Sequence, residues 1–600
     1  MPAAPGTATL RGAEPWAYFA IAALLDTIMG LRLSPQVLLG ALADPDSYMR
    51  LVRLRDILAA HAPLHAVMRD ASGAGAILHW SHLLDCLLLV AALPLRPWLG
   101  QADALHAAAA LSGPLAVGLL GIATAWAMAP FSLRRWRWTA PALTGLAVPI
   151  VGYGMPGVAH HHVLLALAAV MNAGLAGRAA AGDLAAGRRL GAWAGAALWL
   201  SPESVPFTVM GFGGAGLAWA LRRPVAGQGG RMAVGNALAV AGSVFLAVVA
   251  AAFAVDPPMD GVGAIDIDRI SVVYVVLAAI ICAIAWLLWW LDRAAGAAAR
   301  RVAGIAGTMA GLGLWPVLFP AVLAGPEGLL DADGSHAFLG LIQEMRPVAS
   351  LAQALGFLLD GALAALLLGW LAVSRRSLPW GFAAICLGAL LWSALLHVRL
   401  MIYPASAAAA MLPVMLTEWT RLLAARPAMV QAVARIGTIA LMLLPNRVYS
   451  GLGGAAADDW SAAATASGAP SCQVSGLAPF LAPYAGAVVL TGVNDVPELL
   501  YRTGIITVGS LYHRNAAAFA RLRAAWRSMP SDTVPDAVRA TGATLVLACP
   551  RAGAATRWLL VRGLPPETLL DRLERGEVPP WLRQVASRPA SGHVLYAILR

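Results

Sequence analysis

Runs of about 20 apolar residues, each long enough to span the hydrocarbon core of a bilayer as a helix, recur along this chain and are separated by short clusters of Arg. That alternation constrains the fold more than any other feature of the sequence. Hydrophobic residues make up 60% of the 600 residues and charged residues 12%. The mean hydropathy is +0.72, which excludes a soluble globular protein. Every basic residue is Arg, and the net charge is +11. The Arg residues sit in the short loops between spans, where topology control puts them, so no nucleic-acid partner is expected.

The Arg clusters set the topology. They fall at Arg134, Arg135 and Arg137; Arg188 and Arg189; Arg222, Arg223 and Arg231; Arg293, Arg300 and Arg301; Arg375 and Arg376; and Arg421 and Arg426. The positive-inside rule assigns all six to the cytoplasm. The chain then turns back outside near His160, Ser201–Phe207, Asp256–Arg269, Glu327–Pro347 and Arg399–Tyr403. The apolar segment Leu83–Leu95 breaks this parity if it crosses, so it is expected to lie at the interface within a long first external loop, 34–101. The expected fold is a polytopic α-helical membrane protein of about 13 transmembrane helices, with the N-terminus cytoplasmic and the C-terminus outside. The run from Trp16 to Leu33 is longer than a usual signal-peptide core, so an uncleaved first span is expected rather than cleavage after Ala43.

The apolar rhythm ends near Leu444. Residues 1–446 form the membrane domain, and residues 447–600 form a small α/β extracytoplasmic domain after a Gly/Ala/Asp/Ser-rich linker. Val488–Leu490 and Thr544–Leu547 read as buried strands, and Ala516–Trp526 and Thr568–Arg575 as helices. The five Cys form neither a disulfide framework nor a zinc pattern. Cys86, Cys282 and Cys386 are expected to pack in apolar stretches. Cys472 and Cys549 can pair if the C-terminal domain is outside the cytoplasm.

Chemistry concentrates on the expected external side. Asp44 and Asp46 flank Pro45 ahead of an Arg-rich helix carrying Arg50, Arg53 and Arg55. Their carboxylates suit a hard divalent ion, or they cap that helix. His160, His161 and His162 follow one another at a span end; one or two can bind a metal ion, because neighbours on a helix diverge by about 100°. Glu344 lies in Gln343-Glu344-Met345-Arg346-Pro347 and Glu203 in a Pro-bounded turn. Arg399 ends a span, where an Arg either snorkels or grips a lipid phosphate in bidentate fashion. Tyr512, His513 and Arg514 are polar enough to line a cleft in the C-terminal domain.

These motifs resemble those of the C-type, multi-span glycosyltransferases that use polyprenyl-linked sugars, in particular the catalytic subunit of oligosaccharyltransferases. Asp46-Ser47-Tyr48 is similar to the first acidic motif of that family, with Asp44 as the competing alignment. Gln343-Glu344-Met345-Arg346-Pro347 is similar to its Ser-x-x-Glu-like loop, and His397-Val398-Arg399-Leu400-Met401 to its Val-Arg-Leu-Met stretch. The resemblance implies transfer of a sugar from a polyprenyl phosphate or pyrophosphate donor to an extracytoplasmic acceptor at a bacterial inner membrane. It implies Asp46, Asp44 and Glu344 as catalytic residues, with Mg²⁺ or Mn²⁺ held by Asp46 together with His160 or His161. Arg399 would take the donor phosphate, and Glu203, Tyr512, His513 and Arg514 would take the acceptor or line its cleft. The partners implied are the lipid-linked donor, membrane lipid and an acceptor of unassigned identity. Two departures stand out. Ala159 occupies the first carboxylate position of the second acidic motif, and no Trp-Trp-Asp-Tyr-Gly occurs in the C-terminal domain. The Ala motivates an alternative, a catalytically inactive relative that binds lipid-linked glycans. A transporter is a third reading, with Asp26 and Asp360 as its mid-span charges.

Overall fold

The computed structural model describes residues 10–60, 63–221, 229–294, 296–325, 342–451, 472–549, 567–588 and 591–599. Part of the expected linker, residues 452–471, and part of the Glu327–Pro347 return lie outside these residues. Among the described residues, eleven helices are long and apolar enough to cross a membrane. Two further elements alternate with them. One is a 17-residue helix, α8 (Leu184–Leu200). The other is the pair α5 (Thr139–Leu146) and α6 (Val148–Gly154), broken at the extended Ala147. Pro149 sits in the first turn of α6, where its missing N–H removes no helical bond. Together these elements match the count expected from charge alternation, and the fold is a polytopic α-helical membrane protein.

Helix α1 (Glu14–Leu33) leads into a long segment before the next crossing. That segment holds α2 (Pro45–Ala60), the antiparallel pair β1 (Ala66–Val67) and β2 (Ala76–Ile77), and the short α3 (Leu83–Ala92). Helix α3 buries Leu84, Asp85 and Leu88 and exposes Leu87 and Val90, the two-faced character expected of an interfacial helix. Cys86, expected to pack, is exposed on α3. The Arg residues of α2 are internal fasteners. Arg50 and Arg53 bind Asp85 at 2.6 and 2.5 Å, and Arg55 donates to the Tyr501 and Leu500 carbonyls.

Helix α4 (Arg96–Ala127) packs against α1, the broken pair and α7 (His162–Ala179). Small residues permit the contact: a Cβ on Gly113 would lie 2.2 Å from the Gly154 carbonyl oxygen, the close approach typical of membrane helices. Asp26 and Asp360 are buried in separate helices, Glu14–Leu33 and Leu351–Ser374, and form no pathway.

The C-terminal domain is a five-stranded sheet of order β4-β3-β5-β7-β6. Its strands are β3 (Val488–Leu490), β4 (Ile506–Thr507), β5 (Leu545–Ala548), β6 (Leu582–Arg588) and β7 (His593–Ile598). Strand β3 pairs in parallel with β4 and β5, and β7 pairs antiparallel with β5 and β6. Helices cover both faces, and a disulfide joins Cys472 to Cys549. The domain is clasped to the first external segment. Asp70 accepts from the hydroxyls of Thr507 and Ser510, and the Thr507 N–H donates to the Arg69 carbonyl at 2.9 Å.

Candidate functional site

Backbone bonds bring the two motif-bearing loops together. The Ala43 N–H donates to the Gly157 carbonyl at 3.0 Å. Gly157 has φ +87°, and a Cβ there would lie 2.8 Å from the Ala43 nitrogen, so this turn requires glycine on both counts. Asp44 caps α2: its Oδ2 accepts from the Ser47 N–H and hydroxyl, both at 3.1 Å. The Ser47 Oγ in turn accepts from the Ala159 N–H at 2.7 Å. This stitch holds Asp46, in the first turn of α2, against the His run.

Asp46 is gripped from two directions. Its Oδ1 accepts from the Tyr512 hydroxyl at 2.9 Å, and its Oδ2 lies 3.0 Å from His160 Nε2. Burial works to raise the Asp46 pKa, but the His160 hydrogen bond and charge outweigh it and hold the carboxyl below its ordinary range. Burial, and then the charge of Asp46, lift Asp44 to about 6. For His160, burial works downward, while the Asp46 hydrogen bond and the charges of Asp44 and Asp46 raise it to about 8. Burial and the neighbouring His160 push His161 well below its ordinary value, leaving it neutral. His160 Nδ1 is enclosed and has no partner among the described residues. One donor atom from each of Asp44, Asp46 and His160 lies within 4.8 Å of the others. The three His rings also cluster, with centroids 4.4–5.0 Å apart, because they sit at the bend entering α7 rather than along a continuous helix.

Beside the His run, the Glu344 loop is laced to the span end bearing Arg399. The Val398 N–H donates to the Arg346 carbonyl at 3.0 Å, and His397 Nδ1 contacts the Met345 carbonyl at 3.0 Å. Tyr153 donates to Glu344 Oε2 at 2.8 Å. One Arg399 terminal nitrogen donates to Glu203 at 2.7 Å and meets His162 Nε2 at 3.2 Å. Among the described residues the other meets only the Met345 sulfur, at 3.1 Å, a weak acceptor. Arg399 Nε has no partner among the described residues. The guanidinium therefore keeps donor capacity for an anion.

A cavity of about 680 Å³ lies between the helix bundle and the C-terminal domain. Asp44, Asp46, His160, His161, Glu203, Glu344, Arg399, Tyr512 and His513 all line it. Arg514 does not: it is bound to Asp266 and Asp268 in the connection between two membrane helices. Sequence reasoning missed His79, Trp80, Tyr153 and Asp268. The aromatic and imidazole pair His79-Trp80 inside an external loop was the available signal. Tyr153 and Asp268 had none, because their neighbours are remote in sequence.

No protein-family model and no curated protein matches the chain. Solved structures do. The archaeal oligosaccharyltransferase AglB from Archaeoglobus fulgidus, in complex with an inhibitory peptide and a dolichol-phosphate, superposes with a TM-score of 0.62 at 14% identity, covering 91% of this chain and 70% of that one. The same enzyme in complex with Zn and sulfate gives a TM-score of 0.62 at 14% identity, covering 92% of this chain and 70% of that one. Tethered to an acceptor peptide containing the NVT sequon, it gives 0.59 at 14% identity, with the same two coverages, 92% and 70%. The chain has the GT-C fold of that multi-pass membrane enzyme, and at this identity the likeness is one of architecture.

Proposed function

We propose that the chain is a membrane glycosyltransferase that moves a sugar or oligosaccharide from a polyprenyl-linked phosphate or pyrophosphate to an extracytoplasmic acceptor at a bacterial inner membrane. The observation that carries this reading is one cavity lined both by the Asp44–Asp46–His160 group and by the Arg399 guanidinium. It supports both halves of a transfer: an anion seat for the leaving phosphate and carboxylates for the acceptor. The fold it shares with AglB and the oxidised Cys472–Cys549 pair agree with a C-terminal domain outside the cytoplasm.

In this reading the bond between the anomeric carbon and the phosphate oxygen breaks, and a bond from the same carbon to the acceptor forms. The acceptor proton goes to a carboxylate. Asp44, lifted to about 6, is the better-matched proton acceptor near neutral pH. Asp46 stays anionic and orients the site. Arg399 stabilises the charge gathering on the leaving phosphate, where a preorganised cation contributes most. Glu344 positions the acceptor, with Glu203, Tyr512 and His513 shaping the cleft. Without Trp-Trp-Asp-Tyr-Gly, an Asn sequon is not the assigned acceptor.

The residues present fit a divalent cation. Asp44, Asp46 and His160 offer converging donors, and the enclosed, unpartnered His160 Nδ1 is free to change its tautomer when Nε2 is used. Imidazole among the donors suits Mn²⁺ better than Mg²⁺. Bound there, the ion would supply Lewis-acid charge at the donor phosphate.

The test is a mass-spectrometric profile of polyprenyl-linked glycans in cells lacking the gene and in cells complemented with wild type or Asp46→Asn. Accumulation of one lipid-linked sugar in the null, cleared by wild type and not by Asp46→Asn, is expected. An unchanged profile across the three strains would displace the transferase reading in favour of the inactive relative that Ala159 suggests.

A further inference from the structure

Three segments far apart in sequence bring a second set of metal-ligating side chains to the cavity. His79 follows β2 in the first external segment. Asp268 lies in the connection between the helices Gly229–Val255 and Val272–Ala294. His513 lies in the short turn before the helix Ala516–Trp526. One donor atom from each lies within 4.8 Å of the others. We propose that His79, Asp268 and His513 form a divalent-cation site of zinc character, separate from the Asp44–Asp46–His160 group and sharing no residue with it.

Four observations carry the assignment. The first is the donor set: two imidazoles and one carboxylate are the protein ligands of open, three-ligand zinc sites, whose fourth position takes water or substrate. All three residues line the cavity, so that fourth position has somewhere to open. The second is the geometry. His513 Nε2 lies 2.6 Å from Asp268 Oδ2, and the His79 and His513 rings are 4.4 Å apart. Donors around a tetrahedral ion at roughly 2 Å sit about 3.3 Å apart, so a slight parting of one pair and closing of the third ligand admits the ion. The third is the support behind the carboxylate. Arg514 Nε donates to Asp268 Oδ2 at 2.7 Å and a terminal nitrogen to Oδ1 at 2.5 Å, the hydrogen bonding from behind that orients a ligating carboxylate. The fourth is an uncommitted ligand: His79 Nδ1 is enclosed and has no partner among the described residues.

The contrast with a similar group nearby is instructive. His65, His82 and Asp256 also converge, but their capacity is spent. His82 contacts Asp256 through Nδ1 and the Leu64 carbonyl through Nε2, and His65 Nδ1 meets Arg269. That cluster is a fastening between loops. The His79 cluster keeps a free imidazole and a cavity beside it. An ion there would tie the C-terminal domain to two loops of the membrane domain, next to the Tyr512 that touches Asp46.

The test counts ions and does not depend on transfer activity. Full-length protein in detergent, stripped with chelator, is titrated with Co²⁺ alone, following visible d–d absorption and the bound equivalents by equilibrium dialysis. His79→Ala is expected to bind one equivalent fewer than wild type, with its melting temperature unchanged in the absence of metal. The Asp46→Asn/His160→Ala variant is expected to retain one equivalent with a tetrahedral spectrum. Zn²⁺ is expected to raise the melting temperature of that double variant and to leave it unchanged when His79→Ala is added. Wild-type stoichiometry in His79→Ala overturns the assignment. If His79→Ala does not fold, the Asp46→Asn/His160→Ala variant decides: one retained Co²⁺ supports the site and none refutes it. Because the readout is stoichiometry, failure here leaves the glycosyl-transfer reading standing, and the reverse also holds.

Discussion

The Asp46–His160 contact predicts how divalent-ion affinity varies with pH. His160, 3.0 Å from Asp46 Oδ2, is raised to about 8, so at neutral pH it carries a proton that any ion must displace. The apparent affinity is then scaled by the fraction of His160 that is unprotonated. It should be about tenfold weaker at pH 7 than on the plateau above pH 8, a difference of about 1.4 kcal/mol. Below the Asp44 value of about 6, a second proton competes and the slope steepens toward two. Titration of Mn²⁺ into the chelator-stripped protein by calorimetry from pH 5.5 to 9, in buffers of different ionisation enthalpy, measures both the slope and the proton release. An affinity flat from pH 6.5 to 9, with no proton released, would refute the assignment of this pair as ion ligands. The same shift has a stability consequence of opposite sense. Because the His160 pKa rises from 6.5 to about 8 on folding, its contribution of about 2 kcal/mol is complete below pH 6.5 and is lost as pH climbs through 8.

Three further perturbations follow from the packing and the site. Gly113→Ala places a methyl group 2.2 Å from the Gly154 oxygen and should cost about 1–3 kcal/mol or more in thermal unfolding, while Gly388→Ala, with open space at its Cβ, should be neutral. Cys472→Ser opens a 77-residue loop and should lower the stability of the C-terminal domain by about 4 kcal/mol, an effect that reductant should reproduce in wild type. Arg399→Lys keeps the charge beside Glu203 but loses the planar fork. It should weaken binding of a short-chain polyprenyl phosphate at least tenfold by calorimetry without changing the melting temperature.

The membrane architecture was legible because it is written in one dimension. Span length and Arg placement are local properties, and parity alone kept Leu83–Leu95 out of the crossings. Val488–Leu490 and Ala516–Trp526 were readable for the same reason: each is a short apolar or amphipathic run with clear boundaries. Asp44 and Asp46 were found as a pair, and the structure divides their work, since Asp44 caps α2 and Asp46 faces His160 and Tyr512. What the sequence could not disclose is which charges cancel. Arg514 looked like a cleft residue, yet its partners Asp266 and Asp268 lie almost 250 positions away in sequence. His79 likewise acquires significance only when Asp268 and His513 arrive beside it from two other segments.

The central claim is that one cavity both seats a lipid phosphate at Arg399 and promotes transfer of its sugar through the Asp44–Asp46–His160 group, which Asp46 orients. Incubating the purified protein with Mn²⁺ and extracted lipid-linked glycans, and following release of the free polyprenyl phosphate or pyrophosphate by mass spectrometry, tests it directly. Wild type should discharge the donor. Asp46→Asn should discharge it at least 100-fold more slowly. Discharge by Asp46→Asn at the wild-type rate would contradict the account.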